Sequence, residues 1–328
     1  MLVLSRTDVE ALLDLGALID ALAVTMADLS AGRACAPDRV AVPVPEYDGL
    51  LAAMPSYAPS AGVLVSKTIC LYPGNTGGLL PTHQAVITVF DPGTGQPVAL
   101  LDGTSITAIR TGACSALSAR LLARPDADVV AILGTGVQAR SHARAMCQVR
   151  PVRQIRIAGR DRVKAEALAT ELSGTLPAEV CAAASYEEAL RGAGIACATT
   201  HPAEPVIRRP WLTPGVHVTS VGFSQGGREI DDATVRDALV CVESRSAALA
   251  PFPAGTSDLL EPIRTGVIEA GHVHAELGEL VAGTKPGRQS ADQITLYKSV
   301  GVAVQDAAAA GLVIAAARQR AVGQEILL

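Results

Sequence analysis

The sequence predicts an α/β protein of two domains: a doubly wound parallel sheet, and a second α+β layer built from both chain ends. Three observations carry this. The chain has 328 residues, more than one ordinary domain holds. From Asp128 onward, short apolar runs alternate with stretches of helical spacing, the pattern of parallel strands joined by right-handed crossovers. Within that region, residues 129–160 read as strand, tight glycine turn, helix, strand, which is one βαβ unit. The expected division is 1–122 with 302–328, and 123–301.

The first segment contains a short strand and two helices. Thr7 or Asp8 can cap the first, whose apolar residues include Val9, Leu12 and Leu13, and the second runs from Leu18 to Ser30. Residues 34–48 are extended and proline-bearing. GLLAAMPSY and VLVSKTICLY read as antiparallel strands, followed by a glycine-rich loop from Gly74 to Pro81. HQAVITVFD and QPVALLD flank Pro92-Gly93-Thr94-Gly95, a hairpin signal. Thr104 opens a helix that ends before Pro125. In the second region, strands are expected at 129–133, 154–158, 179–182, 195–199, 216–221 and 239–242, with helices at 136–148, 162–173 and 185–191. Residues 256–282 read as short helices. An alanine-rich helix from roughly Ser299 to Val322 is expected to pack back on the N-terminal segment, making that domain discontinuous.

The glycine turn is the most specific local signal. Val129 to Leu133 is apolar throughout, as in a strand covered on both faces. Gly134 permits the turn, and Gly136 lets backbone approach a pyrophosphate. Ala139 stands at the third glycine position of GxGxxG, where a small side chain lets the helix lie close to the sheet. The helix N-terminus offers free N–H groups to phosphate. This is a Rossmann-type dinucleotide site; the plain alternative is an α/β turn without a ligand.

Composition narrows the function classes. Hydrophobic residues make up 49% and charged residues 18%, which suits a large core and argues against disorder. Aromatics are only 3%, so the core rests on Ala, Val, Leu and Ile. Net charge is −5 with no basic block, which gives no support for nucleic-acid or anionic-membrane partners. No apolar run reaches the roughly 18 residues of a membrane span. The seven cysteines are scattered without a CxxC pair and read as small buried residues in a reducing cytoplasm.

Several residues outside the glycine turn point to chemistry. Val63, Val65, Lys67, Ile69 and Leu71 share one strand face, so Lys67 must be paired or must border a cavity. It can bind a carboxylate or transfer a proton with lowered affinity, or it can snorkel from an edge strand. Arg110 shares a helix face with Ile106, Thr107, Ala113 and Cys114, which suits a bidentate carboxylate or phosphate partner or a structural ion pair. Arg160 closes the second strand of the nucleotide unit, where an NAD enzyme usually has an acid. It suits a 2′-phosphate with Arg162 and Lys164 as helpers, so NADP(H) is favoured and NAD(H) remains open; Asp161 facing the ribose would reverse this. Of Asp231 and Asp232, one can cap the next helix and the other can act as acid or base. Thr199-Thr200-His201 ends a strand and borders the nucleotide. His272 and His274 lack a carboxylate pattern that would complete a metal site. No GxSxG or P-loop pattern occurs.

Lys67 in its strand, PTHQAVITVFDPGTGQPVALLDGTSITAIRTGA, LLARPDADVVAILGTGVQAR, REIDDATV and KPGRQSADQITLYKSVGVAVQD together resemble the ornithine cyclodeaminase/mu-crystallin family over nearly the whole chain. The resemblance implies a nucleotide-binding domain plus a substrate and dimerisation domain made of both chain ends, with the substrate pocket between them. It implies hydride exchange between nicotinamide and the α-carbon of a small amino or imino acid, in a homodimer. It places Arg39, Lys67 and Arg110 on the substrate carboxylate and Asp231 at the acid/base position. Thr82, Val137, Gln138, Thr200, Gly222, Ser299 and Val300 would line the cofactor, with Arg110, Gly134, Gly136 and Arg160. Ornithine cyclodeaminases resemble one another in an acidic residue near their Leu-Met-Pro-like strand end. Here Leu50-Leu51-Ala52-Ala53 precedes Met54-Pro55, and Glu46 and Asp48 lie further back. The expectation is NAD(P)H-dependent reduction of a small imino acid (a ketimine) to an α-amino acid, or the reverse. The rivals are a cyclodeaminase-type lyase with catalytic NAD, and a protein that binds NADPH and a small ligand without turnover.

Overall fold

The computed structural model describes residues 1–222, 226–251 and 253–327. The chain divides into two compact units, Met1–Arg110 with Gly301–Leu328, and Thr111–Val300. The division falls inside a helix, upstream of the 122/123 boundary placed from sequence.

Unit 1 begins with β1 (Leu2–Leu4), α1 (Arg6–Leu12) and α2 (Leu15–Ser30). The cap of α1 is Ser5, and Asp8 is its reciprocal partner in a capping box rather than the cap itself. Asp14 caps α2, which therefore starts three residues before Leu18. Then come β2 (Val40–Val44), β3 (Gly49–Ala58), β4 (Val63–Leu71), β5 (His83–Phe90), β6 (Pro97–Asp102) and α3 (Gly103–Leu122). In the turn between β5 and β6, Asp91 Oδ1 accepts the N–H groups of Gly93 and Thr94, and Gly95 takes φ +74°. That left-handed conformation is why glycine closes the turn.

Unit 2 is built on β7 (Val129–Leu133), α4 (Val137–Val149), β8 (Gln154–Ala158), α5 (Arg162–Ser173), β9 (Glu179–Ala182), α6 (Tyr186–Leu190), β10 (Ile195–Ala198) and β11 (His217–Ser220). It continues through α7 (Asp232–Asp237), β12 (Leu239–Val242), α8 (Arg245–Ala248), α9 (Ser257–Arg264), β13 (Val273–Glu276), α10 (Leu277–Val281) and β14 (Thr295–Lys298). The chain then returns to unit 1 with α11 (Ala303–Arg320) and β15 (Gln324–Glu325).

In unit 1 the sheet order is β15-β1-β6-β5-β4-β3-β2, and α11 lies on one face of β3 and β4 and against α2. Gly311 allows α11 a close approach: a Cβ there would sit 2.8 Å from the Ala61 carbonyl. In unit 2 all strand pairs are parallel, in the order β13-β12-β14-β11-β10-β7-β8-β9. The order reverses between β7 and β10, which makes that crevice the expected ligand position of such a sheet.

Three strands are not expected from the sequence: the two-residue β15, and β13 and β14. β13 lies in the segment read as short helices, and β14 precedes the alanine-rich helix, which begins at Ala303 rather than Ser299. Each is four residues long, the same length as β9 to β12, so length alone does not set them apart from the strands the sequence shows. β14 matters, because Ser299 and Val300 become a strand-end loop instead of a helix start. The cysteine reading also changes: Cys114, Cys197 and Cys241 are buried, but Cys35 is exposed, and all seven are free thiols.

Candidate functional site

In unit 1, three charged side chains meet inside the apolar layer. Strand alternation on β4 turns Lys67 to the covered face beside Val65 and Ile69. α3 brings Arg110 to the same place, and the first turn of α11 brings Asp306. Lys67 is 1% exposed, Arg110 5% and Asp306 0%. Lys67 Nζ lies 2.7 Å from Asp306 Oδ2, and Arg110 Nε donates to Asp306 Oδ1 at 3.2 Å. Arg110 Nη1 also donates to Gln305 Oε1 at 2.7 Å. Arg39, half-buried, donates from Nη2 to the Gly301 carbonyl at 2.9 Å. Gly301 takes φ +73°, a conformation that favours glycine, and a Cβ there would sit 3.0 Å from Arg110 Nη1.

The electrostatics follow from this packing. Burial pushes the Lys67 ammonium down to about 8; Asp306 holds it up, while Arg110 and Arg39 lower it further. Burial works against the Asp306 carboxylate, yet Lys67 and Arg110 hold it below its ordinary value. Burial, then the charges of Lys67 and Arg110, push His83 at the start of β5 down to about 4, so it is neutral at pH 7. The triad counts two cations against one anion. A buried surplus of positive charge is costly unless an anion joins it, and a carboxylate fits an ammonium and a guanidinium. Met54 pairs with Lys67 across β3 and β4 and belongs to an apolar cluster with Ala52, Ile69, Ala85 and Ala303. Glu46 and Asp48 sit outside it, exposed in the tight turn between β2 and β3. Thr82 is exposed just before β5, its carbonyl accepting from Tyr72 N at 2.8 Å.

In unit 2 the glycine turn has the geometry its sequence suggests. Gly134 takes φ +126°, and a Cβ there would lie 2.5 Å from Thr199 Oγ1. Gly136 has ordinary φ (−91°), is exposed, and has open space where a Cβ would go. It is the N-cap of α4 and offers no side chain to the first-turn N–H groups. Val137 is exposed, and Gln138 Oε1 is buried with no hydrogen-bond partner among the described residues. An open cradle at an uncapped helix start, with an orphaned amide oxygen beside it, fits a dinucleotide. Arg160 is exposed after β8. Asp161 caps α5, accepting from Lys164 N at 3.2 Å, and Arg162 pairs with Glu166 at 2.8 Å.

The remaining strand ends are held by buried carboxylates. Glu229 Oε1 accepts from Thr200 N at 2.6 Å and Thr200 Oγ1 at 2.7 Å. Its Oε2 accepts from Ser220 Oγ at 2.6 Å and Gly222 N at 2.7 Å. Lys298 Nζ lies 3.9 Å from Glu229 Oε2 and 2.7 Å from Asp258 Oδ2, and donates to Ser220 Oγ and the Gly222 carbonyl. Glu243 accepts from Ser299 Oγ at 2.5 Å and Val300 N at 3.1 Å. Asp231 is the N-cap of α7, its two oxygens accepting from Thr234 N at 2.9 Å and Arg209 N at 3.1 Å, so the structure gives it the capping role. His272 and His274 each bond a backbone carbonyl. Among the described residues, no three His, Cys, Asp or Glu side chains gather as a metal site.

The structure thus joins Arg39, Lys67 and Arg110 within unit 1, and Thr200, Gly222, Ser299 and Val300 at the strand ends of unit 2. Sequence reading missed Asp306, Gln305, Glu229, Glu243, Asp258 and Lys298. The available signal was a charge in an otherwise apolar stretch, as in SVGVAVQDAAAA and TLYKSV.

Comparison with known proteins matches residues 1–321 to the ornithine cyclodeaminase/mu-crystallin family. The chain is 37% identical over 300 residues to the ketimine reductase mu-crystallin of Mus musculus, covering 90% of each. It is 38% identical to the Delta(1)-pyrroline-2-carboxylate reductase of Thermococcus litoralis, whose structure holds NADH and L-proline; the TM-score is 0.95, with 99% of this chain and 100% of that one covered. It is 29% identical to an archaeal alanine dehydrogenase, a dimer with bound NAD, at TM-score 0.92 and coverage of 100% and 99%.

The two glycines of the turn separate folding from binding. Gly134→Ala should destabilise the protein by about 1–3 kcal/mol, because φ +126° is strained for any side chain. Gly136→Val should leave the melting temperature nearly unchanged, since its Cβ meets open space, but should weaken dinucleotide binding about tenfold or more. Thermal melts and nucleotide titrations read the two effects. Equal nucleotide affinity in Gly136→Val would contradict the cradle.

Proposed function

We propose, from the premise that the chain belongs to the ornithine cyclodeaminase/mu-crystallin family, that it is an NAD(P)H-dependent reductase of a small imino acid, also able to run the reverse amino-acid dehydrogenation. The observation that carries this is the buried triad of Lys67, Arg110 and Asp306, with two cations and one anion. A substrate carboxylate completes its charge balance. Lys67 and Arg110 hold that carboxylate and so fix the orientation of the C=N group. When bound, the reduced nicotinamide nucleotide supplies the hydride. Gly134, Gly136 and the start of α4 hold its phosphates, and Thr200, Gly222, Ser299 and Val300 line its remainder.

The imine accepts hydride best when protonated. Lys67, with its affinity lowered to about 8, keeps its proton at neutral pH and can yield it. Asp306 orients Lys67 and Arg110 and retains its own charge. Asp231, held by two backbone N–H groups, contributes a fixed loop.

Further features refine the reading. The apolar cluster around Lys67 favours a substrate with a small apolar or cyclic side chain. Arg160 lies exposed after β8 while Asp161 is engaged in capping α5, which favours NADP(H). The face of the unit 1 sheet turned away from α11 carries Leu51, Tyr57 and Val86, all exposed, beside Val40 and Val42 of the edge strand. Such a patch suits a second copy of the chain, as in the dimeric alanine dehydrogenase relative.

Two outcomes follow. Imine reduction should fall as pH rises through about 8, where Lys67 loses its proton. Lys67→Ala should lower kcat/KM by roughly 10²–10⁴, and Lys67→Arg, which never deprotonates, should abolish the alkaline fall in whatever activity remains. A wild-type profile flat through pH 8 would exclude Lys67 as the titrating group. Light scattering should give twice the 33.6 kDa chain mass, and Val86→Glu should give monomers; a monomeric wild type would refute the dimer.

A further inference from the structure

The buried cluster of Glu229, Asp258 and Lys298 has more ties than loop-holding requires. Its members are 1%, 2% and 0% exposed. Two carboxylates face one ammonium, so the cluster carries a formal charge of −1 among the described residues. A charge in so dry a setting acts on its surroundings far more strongly than one in water.

Its hydrogen bonds also fix the polarity of the strand ends. Thr200 gives its only hydroxyl proton to Glu229, so toward a ligand that hydroxyl can only accept. Gly222 has its N–H on Glu229 and its carbonyl on Lys298. A side chain at Gly222 would collide with both Glu229 and the Thr200 carbonyl, so the carboxylate lies directly against that backbone.

The cluster spans the ends of β10, β11 and β14, on one side of the crevice between β7 and β10. Arg160 marks the other side, after β8. A dinucleotide in such a sheet straddles the crevice with its pyrophosphate on the first glycine turn. The adenosine half then belongs to the β8 side, and the nicotinamide half to the side that holds the cluster.

We propose that Glu229, Asp258 and Lys298 form an electrostatic bias toward the oxidised nucleotide. The nicotinamide ring is cationic when oxidised and neutral when reduced. A net negative charge near it stabilises the oxidised form more, and thereby makes the bound reduced nucleotide a stronger hydride donor. These three are positioning residues rather than catalytic ones. The inference rests on the nucleotide reading above.

The test is the ratio Kd(NADP⁺)/Kd(NADPH), measured by calorimetry and by nucleotide fluorescence on the intact protein. Glu229→Gln and Asp258→Asn should each raise that ratio by about fivefold or more, and Lys298→Gln should lower it. Opposite signs for opposite charges are what a purely structural role cannot produce. Removing either carboxylate tests the same claim, so one variant suffices if the other does not fold. If both constants move together and the ratio stays within about twofold, the bias is refuted. If the wild-type protein binds neither NADPH nor NADH, the nucleotide reading itself fails, a separate result from an unchanged ratio.

Discussion

Two buried cations sharing one carboxylate is the constraint on which unit 1 depends. Lys67 comes from the middle of the sheet, Arg110 from the helix that follows it, and Asp306 from almost two hundred residues later. None could be buried alone, since breaking such a cluster by removing one partner costs about 3–5 kcal/mol. The return of α11 to the first sheet is therefore an electrostatic requirement as well as a hydrophobic one. Its alanines let the helix lie low enough for Asp306 to reach both cations. Hydrophobic isosteres would fold as well or better, so retaining three charges there makes sense when a fourth, on a ligand, completes the set.

Unit 2 solves a parallel problem with the signs reversed. The carboxyl ends of its strands carry Glu229, Glu243 and Asp258, each bonded to backbone or hydroxyl groups of neighbouring loops. Ser220 of β11 and Lys298 of β14 meet Glu229 and Asp258 from the sheet itself, and the other partners of these carboxylates come from the loops at the strand ends. The cradle at Gly136 thus stays open while the rest of the rim is pinned. In the proposed reading, the positive surplus in unit 1 receives an anion and the negative cluster in unit 2 faces a cationic ring.

Much of this was legible in the chain. The glycine turn announced itself because each of its residues has a separate steric reason, and φ +126° at Gly134 confirms the first. Lys67 stood out because a period of two puts it among valines and isoleucine. Long-range partners were not legible: nothing local tells that Asp306 or Glu229 will be buried, since burial is set by packing that spans the sequence. β13 and β14 escaped for a related reason. β14 is buried on both faces and carries no alternation, so its pairing between β11 and β12 defines it, and β13 alternates over only four residues. Asp231 is a different case: the sequence offered it both as a helix cap and as an acid or base, and its side chain caps α7.

The claim that the buried positive surplus is a carboxylate receptor can be tested without turnover. Pyrrole-2-carboxylate and pyrrole-2-carboxamide have nearly the same shape and differ in charge. Calorimetric titration of each into the protein saturated with NADPH compares them directly. The account predicts that the carboxylate binds at least about a hundredfold more tightly, the worth of a charge-assisted contact with two buried cations. Equal affinity for the two would contradict it.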